Sequence, residues 1–472
     1  MYEIVRGGWI MAYDFIQNYY FRCREHRAVV MGRERLHIDE DVLHFIWMRG
    51  LWDVRGARTT DGQTLELLDA GRHNEHAGPD FFNAKLRIGE QVWAGTVEIH
   101  LRASDWLRHG HSADPLYDSV VLHVVWEEDA PIYRRGGERI PCLELKDRVD
   151  ARMLERYGQL MRSTAWVPCA ALVGQVPSLQ LRAWTDRMVV ERLEEKSQHI
   201  AEVWERLDKD LEQALYVILL RNFGFGVNND AFEELAMRLP YRIVQRHRTE
   251  RLDVEAMFFG VAGFLAEIDE QDSYMRDLHF RFAHWRKKYA LVPLSRQRWR
   301  FFRLRPHNFP TMRIAQFVDF ITRHAHLVAS VVEAGDYRAY KRLFDLRVSP
   351  YWREHYRFGS KSRRSHTGRL SPRSLHLLLI NTVVPFLFFY AEVHARDDLR
   401  DRAMEILEAL PPEDNTIIRG WRRCGLEPKS ALDTQAWLYL RRAYCERHRC
   451  AHCRIGQYLI AGNEFSKRDE IA

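Results

Sequence analysis

The chain has 472 residues, of which 46% are hydrophobic and 29% charged, with 14 Trp and 24 Phe. This composition excludes a disordered polymer, and the length calls for two or three cores. The formal net charge of +6 and a pI of about 8.9 admit an anionic partner such as nucleic acid without requiring one.

The first 35 residues hold aromatics and early charges but no clean apolar stretch before a small-residue cleavage site, so no signal peptide is expected. Residues 1–35 are read as an extension of unassigned function, with Met11 and Met31 as alternative starts. The most hydrophobic run, 375–391, contains His376, Asn381, Thr382 and Pro385 and reads as a buried helix, with no membrane partner. Seven cysteines, four of them beyond residue 423, fit a reduced cytoplasmic protein better than a disulfide framework.

In chain order, a helix is predicted over 39–49. Asp39 can cap it, and Val42, Leu43, Ile46 and Trp47 share one face. Alternation then takes over. Residues 64–68 read as a short strand, and 82–88 with 91–101 as a hairpin about the Gly89-Glu90 turn. Residues 103–109 fit a short helix, and 119–127 a buried strand rich in Val and Leu. Residues 139–145 are a further strand, whose Pro141 favours an edge. The expectation is an α/β domain with a mixed sheet over 36–150. A larger all-α domain over 151–411 follows, because apolar spacing is helical there, as in Met188, Val189, Arg192 and Leu193. A small Cys-containing tail is expected over 412–472.

Six of the 22 histidines fall between His73 and His123, where even spreading would give about two. Along 97–101, Val97, Ile99 and Leu101 point one way, and Glu98 and His100 the other. Asp80 follows Pro79 at the entry to the preceding strand. Pairing of the two strands, about 5 Å apart, brings Asp80 towards Glu98. Two converging carboxylates make an oxygen-rich site suited to Mg²⁺ or Mn²⁺, and such an ion activates water and offsets charge on a phosphate. His100 is a ligand, a base or a hydrogen-bonding strand residue. His73, Asn74, Glu75 and His76 line the same mouth. His109, His111 and Asp114 are candidate ligands or phosphate contacts, or else a polar loop. His123, flanked by apolar residues, is a core histidine or an accessory one.

Pro79-Asp80, a gap of about seventeen residues, and Glu98-Ile99-His100 resemble the PD-(D/E)XK nuclease motif, with His where that family usually has Lys. The element order also resembles that fold's core. The resemblance implies a metal-dependent nuclease in which Asp80 and Glu98 hold the ion and His100 occupies the catalytic lysine's place. Glu40 would be the extra acid from the first helix. Lysine stays cationic at neutral pH whereas His titrates near 6.5. The resemblance therefore also implies an alternative: a noncatalytic nucleic-acid-binding scaffold with a degraded nuclease fold. A broader string resembles an uncharacterised bacterial protein family over roughly residues 39–460. It comprises Ala77-Gly78-Pro79-Asp80-Phe81, Ser104-Asp105-Trp106, Arg305-Pro306-His307-Asn308-Phe309-Pro310 and the terminal cysteines. It implies architecture and not chemistry.

Cys445, Cys450 and Cys453, with Cys424 upstream, suit a structural zinc ion or an iron–sulfur cluster, with His448 or His452 in reserve. Some PD-(D/E)XK nucleases carry such a terminal cluster, so the resemblance points the same way; the alternative is a set of reduced thiols. Arg305 and Arg313 flank a predicted helix start that suits a phosphate, or a buried Arg network. Lys361, Arg363 and Arg364 lie in a segment, 357–373, with six Lys or Arg and no acid, read as a mobile loop able to track a nucleic-acid backbone.

Overall fold

The computed structural model describes residues 27–31, 34–74, 76–267 and 269–462. Glu75 and most of the N-terminal extension therefore lie outside the described residues. Within the extension, β1 (Arg27–Met31) and β2 (Glu34–Ile38) form an antiparallel pair. The protein has an N-terminal mixed-sheet region followed by a mostly helical one.

Helix α1 (Glu40–Met48) begins where expected. The Asp39 side chain accepts from Val42 N at 3.1 Å, and Val42, Leu43, Phe45, Ile46 and Trp47 are buried. The strands that follow are β3 (Leu65–Asp69), β4 (Arg72–His73), β5 (Phe81–Ile88) and β6 (Gln91–Arg102). Next come the short helix α2 (Asp105–Arg108), then β7 (Val120–Glu127) and β8 (Cys142–Glu144). The sheet order is β3-β5-β6-β7-β8, with β4 also pairing β5. β5 runs antiparallel to β3 and β6, whereas β6, β7 and β8 run parallel. The tight Gly89-Glu90 turn allows the first arrangement. The crossover through α2 and its loop produces the second, since parallel strands need a long connection. β8 lies at the edge, as Pro141 predicts.

Register decides the site. Phe81 pairs with Val97, and Glu98 pairs with His123. Asp80, one residue before Phe81, is thus diagonal to Glu98. Gly95 in β6 allows close approach of β7: a Cβ there would meet a Val121 methyl and lie 2.8 Å from the Ser119 carbonyl.

The chain divides into two compact units, and the boundaries differ from those expected. Unit 1 contains residues 1–184, 420–426 and 439–472; unit 2 contains 185–419 and 427–438. The break expected at 150 falls inside unit 1, because helix α3 (Ala151–Met161) packs with the sheet region: Tyr157 Oη donates to Asp39 Oδ2 at 2.6 Å. The tail is not a separate domain. Its cysteine segment folds into unit 1, where Arg156 donates to the Ile460 and Ala461 carbonyls.

Unit 2 is helical. Its core includes Pro310–Arg323, buried along most of its length, and Arg251–Val261. Pro372–His394 is long and apolar enough to cross a membrane by length and composition, but 78% of its apolar window is buried inside the protein. It serves as a core helix, interrupted by a π-helical stretch at Leu379–Val383.

Candidate functional site

The alternation along β6 places Glu98 and His100 on one face, but that face is not open to solvent. Glu98 is 4% exposed and His100 2%. The segment after α2 covers them. Gly110, with φ of 77°, turns the chain so that His109 and His111 both come back over the strand.

The two carboxylates meet at the strand ends. Glu98 Oε2 accepts from Asp80 N at 3.2 Å, and Asp80 Oδ2 accepts from Ile99 N at 2.8 Å. The Nε2 of His44, on α1, lies 3.2 Å from Asp80 Oδ2. Burial alone would depress the His44 imidazole, but Asp80, with Glu40 and Asp41 behind it, pushes it up to about 9. Burial opposes ionisation of Asp80, yet the His44 charge and the Ile99 N–H hold its carboxyl below the usual range. Glu98 has no such cation. Burial and the neighbouring Asp80 charge push it well up. Glu40 is raised to about 7, chiefly by burial. Two adjacent carboxyls thus have opposite tendencies, as at acid–base and metal sites.

On the other side of Glu98 stand the histidines. Glu98 Oε1 is 3.2 Å from His111 Nε2 and 3.5 Å from His100 Nε2. His100 Nε2 is 3.2 Å from His109 Nδ1, and His100 Nδ1 is 2.9 Å from His123 Nε2. The Tyr117 ring stacks on His111 with centroids 3.8 Å apart. Burial, reinforced by the other imidazoles, keeps three of these rings uncharged: His111 falls to about 4, His123 to about 3, and His100 well below its usual value. His100 is therefore uncharged, unlike the lysine that the nuclease resemblance would put at this position. The buried cation here is His44.

The structure thus brings Asp80, Glu98, His100, His109, His111 and His123 together. His73 stands at the side, its ring 5.3 Å from His44 and 6.2 Å from His452. Asn74 shapes the turn, donating to the Pro79 carbonyl at 3.0 Å. His76 is exposed, and Asp114 serves as a turn cap for Leu116 N at 3.0 Å. Sequence reasoning missed His44 and Tyr117. The i,i+4 spacing of His44 from Glu40 was the available signal for the first; no spacing announces the second.

The thiols also differ from expectation. Cys169, Cys450 and Cys453 are buried, and Cys445 lies within electrostatic reach of all three. Burial and these mutual neighbours raise the Cys445, Cys450 and Cys169 thiols. Cys169, in a turn after Pro168, lies within electrostatic reach of Cys445 and Cys450, whereas Cys424 is only partly buried and influences Cys169 but not Cys445 or Cys450. His452 is directed at Asp41, 3.2 Å away.

Of the cationic candidates in unit 2, Arg313 is not a surface residue. It is 4% exposed, donates to Gln316, Asn308 and Ser374, and lies over the Phe225 ring at 4.0 Å. Burial lowers its guanidinium to about 9. It is part of the buried network and not a nucleic-acid contact. Arg305, Arg363 and Arg364 are exposed, and Lys361 pairs with Glu354 at 2.8 Å. The segment read as a mobile loop is anchored: Ser362 N donates to the Glu354 carbonyl and Gln316 Nε2 to the Gly368 carbonyl.

A mixed sheet carrying a buried carboxylate pair and a histidine cluster, joined to a helical region, defines the class of protein. The chain belongs to the family described as protein of unknown function DUF2851, which it matches over residues 40–416. No curated protein and no solved structure matches it.

Proposed function

We propose that the protein is a metal-dependent phosphodiesterase acting on nucleic acid, with its N-terminal sheet in the manner of a PD-(D/E)XK nuclease. The observation that carries this reading is the adjacency of Asp80 and Glu98 at paired strand ends, each accepting a backbone N–H of the other's segment. Asp80 offers an ionised carboxylate, kept so by His44. Glu98 offers a second, whose raised proton affinity would fall beside a cation. A divalent ion held by the pair would activate water and offset phosphate charge. Asp80 and Glu98 orient that site, and His44 supplies a fixed positive charge beside it. Exposed Arg305, Arg363, Arg364 and Lys361 offer phosphate contacts on the helical unit.

The test is cleavage of labelled single- and double-stranded DNA and RNA by purified protein with Mg²⁺, Mn²⁺ or Zn²⁺. Cleavage should disappear in Asp80→Ala and Glu98→Gln with the fold retained. The neutral, buried His100 favours one rival, a noncatalytic nucleic-acid-binding scaffold. Salt-sensitive binding without cleavage under every ion would establish that rival instead.

A further inference from the structure

Three imidazoles cluster beside the carboxylate pair, and Glu98 lies against two of them. Glu98 Oε1, His100 Nε2, His109 Nδ1 and His111 Nε2 are linked by separations of 3.2, 3.5 and 3.2 Å. His100, His109 and His111 each place a ring nitrogen within 4.8 Å of the other two. Ligands about 2.0–2.1 Å from a tetrahedral ion sit about 3.3–3.4 Å from one another, by simple geometry on zinc–nitrogen and zinc–oxygen bond lengths. These three separations are close to the length of such an edge.

Hydrogen bonding alone serves only one of the two contacts that His100 Nε2 makes. His100 Nε2 carries at most one proton, yet it faces both Glu98 Oε1 and His109 Nδ1. A cation at the centre is served by the lone pairs of all four atoms at once. The outer nitrogen of His100 is already positioned for that role. With Nε2 as a ligand, Nδ1 holds the proton and donates to His123 Nε2 at 2.9 Å, the outer bond that fixes tautomer and ring orientation in metal-bound histidines. His123 is fully buried, and its own Nδ1 has no hydrogen-bond partner among the described residues. A buried imidazole left half-satisfied needs a reason to be there, and holding His100 in one tautomer supplies it. Entry is available because His109 is exposed while His100 is sealed.

We infer that Glu98, His100, His109 and His111 form a binding site for one zinc-class divalent ion, with His123 as its positioning residue. Three imidazoles and one carboxylate suit Zn²⁺, Fe²⁺ or Co²⁺ over Mg²⁺, which prefers an all-oxygen octahedron. The site shares only Glu98 with the carboxylate pair and does not engage Asp80, so it goes beyond the proposed phosphodiesterase, and it rests on that reading only for the use the ion is put to.

The experiment uses the full chain, stripped with chelator and titrated with Co²⁺ and Zn²⁺ alone. Besides any Co²⁺ taken up by the thiols, which shows thiolate charge-transfer absorption, about one equivalent should bind with intense visible bands of tetrahedral nitrogen and oxygen coordination, and Zn²⁺ should displace it. His109→Ala, a change at an exposed position, should weaken Co²⁺ binding more than 10-fold and abolish those bands. His123→Phe should weaken binding about 10–100-fold while leaving the band shape recognisable. Absence of tetrahedral Co²⁺ bands in the wild type, or bands unaltered in His109→Ala, overturns the site. Cleavage supported by Mg²⁺ with no Co²⁺ or Zn²⁺ bound here would overturn it while the nuclease reading stands. Co²⁺ bound as described without cleavage of any nucleic acid would support the site and sink the nuclease.

Discussion

Replacing Asp80 by Asn should remove the main support of the His44 charge at neutral pH. In the folded protein burial works against the His44 charge, and the Asp80 carboxylate 3.2 Å away outweighs it, raising the imidazole from 6.5 to about 9. That difference, about 2.5 pH units, corresponds to roughly 3 kcal/mol of differential stabilisation. The His44 side chain is 15% exposed, so solvent screening removes little of it. The folded value lies above the unfolded one. The stabilisation is therefore fully present below about pH 6.5 and is lost as pH rises through about 9. Asp80 itself, being depressed, contributes in a different window, lost as pH falls through its lowered value. In Asp80→Asn burial is opposed only by Glu40 and Asp41, so His44 should titrate well below its wild-type value, and the loss of unit 1 stability as pH rises towards 9 should shrink. The assay is a pH titration of the histidine ring carbons by NMR in chelator, with His44 assigned from His44→Gln. Denaturant unfolding of unit 1 at pH 6 and pH 9 accompanies it. A His44 signal that titrates at or below 6.5 in the wild type, or one indifferent to Asp80→Asn, would refute the reasoning.

Three further outcomes are expected. Freshly purified protein should carry zinc or iron on its thiols; Cys169→Ser should lower both that content and the melting temperature, whereas Cys424→Ser should leave them nearly unchanged, and metal-free protein prepared without chelator would end the idea. Gly95→Ala should destabilise unit 1 by about 1–3 kcal/mol, because the new Cβ must displace β7 at Val121 and the Ser119 carbonyl; a neutral result in thermal unfolding would show that the two strands separate freely. Tyr157→Phe should cost about 1.5–3 kcal/mol by removing the buried 2.6 Å bond to the Asp39 carboxylate, measured by denaturant titration; a loss under about 0.5 kcal/mol would mean that Asp39 is held by its other partners.

Much of the site was written in local pattern. Period-two alternation set Glu98 and His100 on one face, the Gly89-Glu90 turn forced β5 and β6 to pair, and the pairing carried Asp80 to Glu98. Asp39 marked the start of α1 and Pro141 the edge strand. These follow from the sequence because strand periodicity, turn chemistry and caps act over a few residues. Tertiary structure alone decided the rest. His44 reaches Asp80 only because α1 packs on the sheet, and His109 and His111 reach Glu98 only because the loop after α2 folds back over β6. Cys169 joins the terminal thiols across more than 270 residues of chain, and Arg313, polar in sequence, turns inward to a network of Asn308, Gln316 and Ser374. In each case the partners are distant in sequence, and which of them meet is set by how whole elements bury their apolar faces.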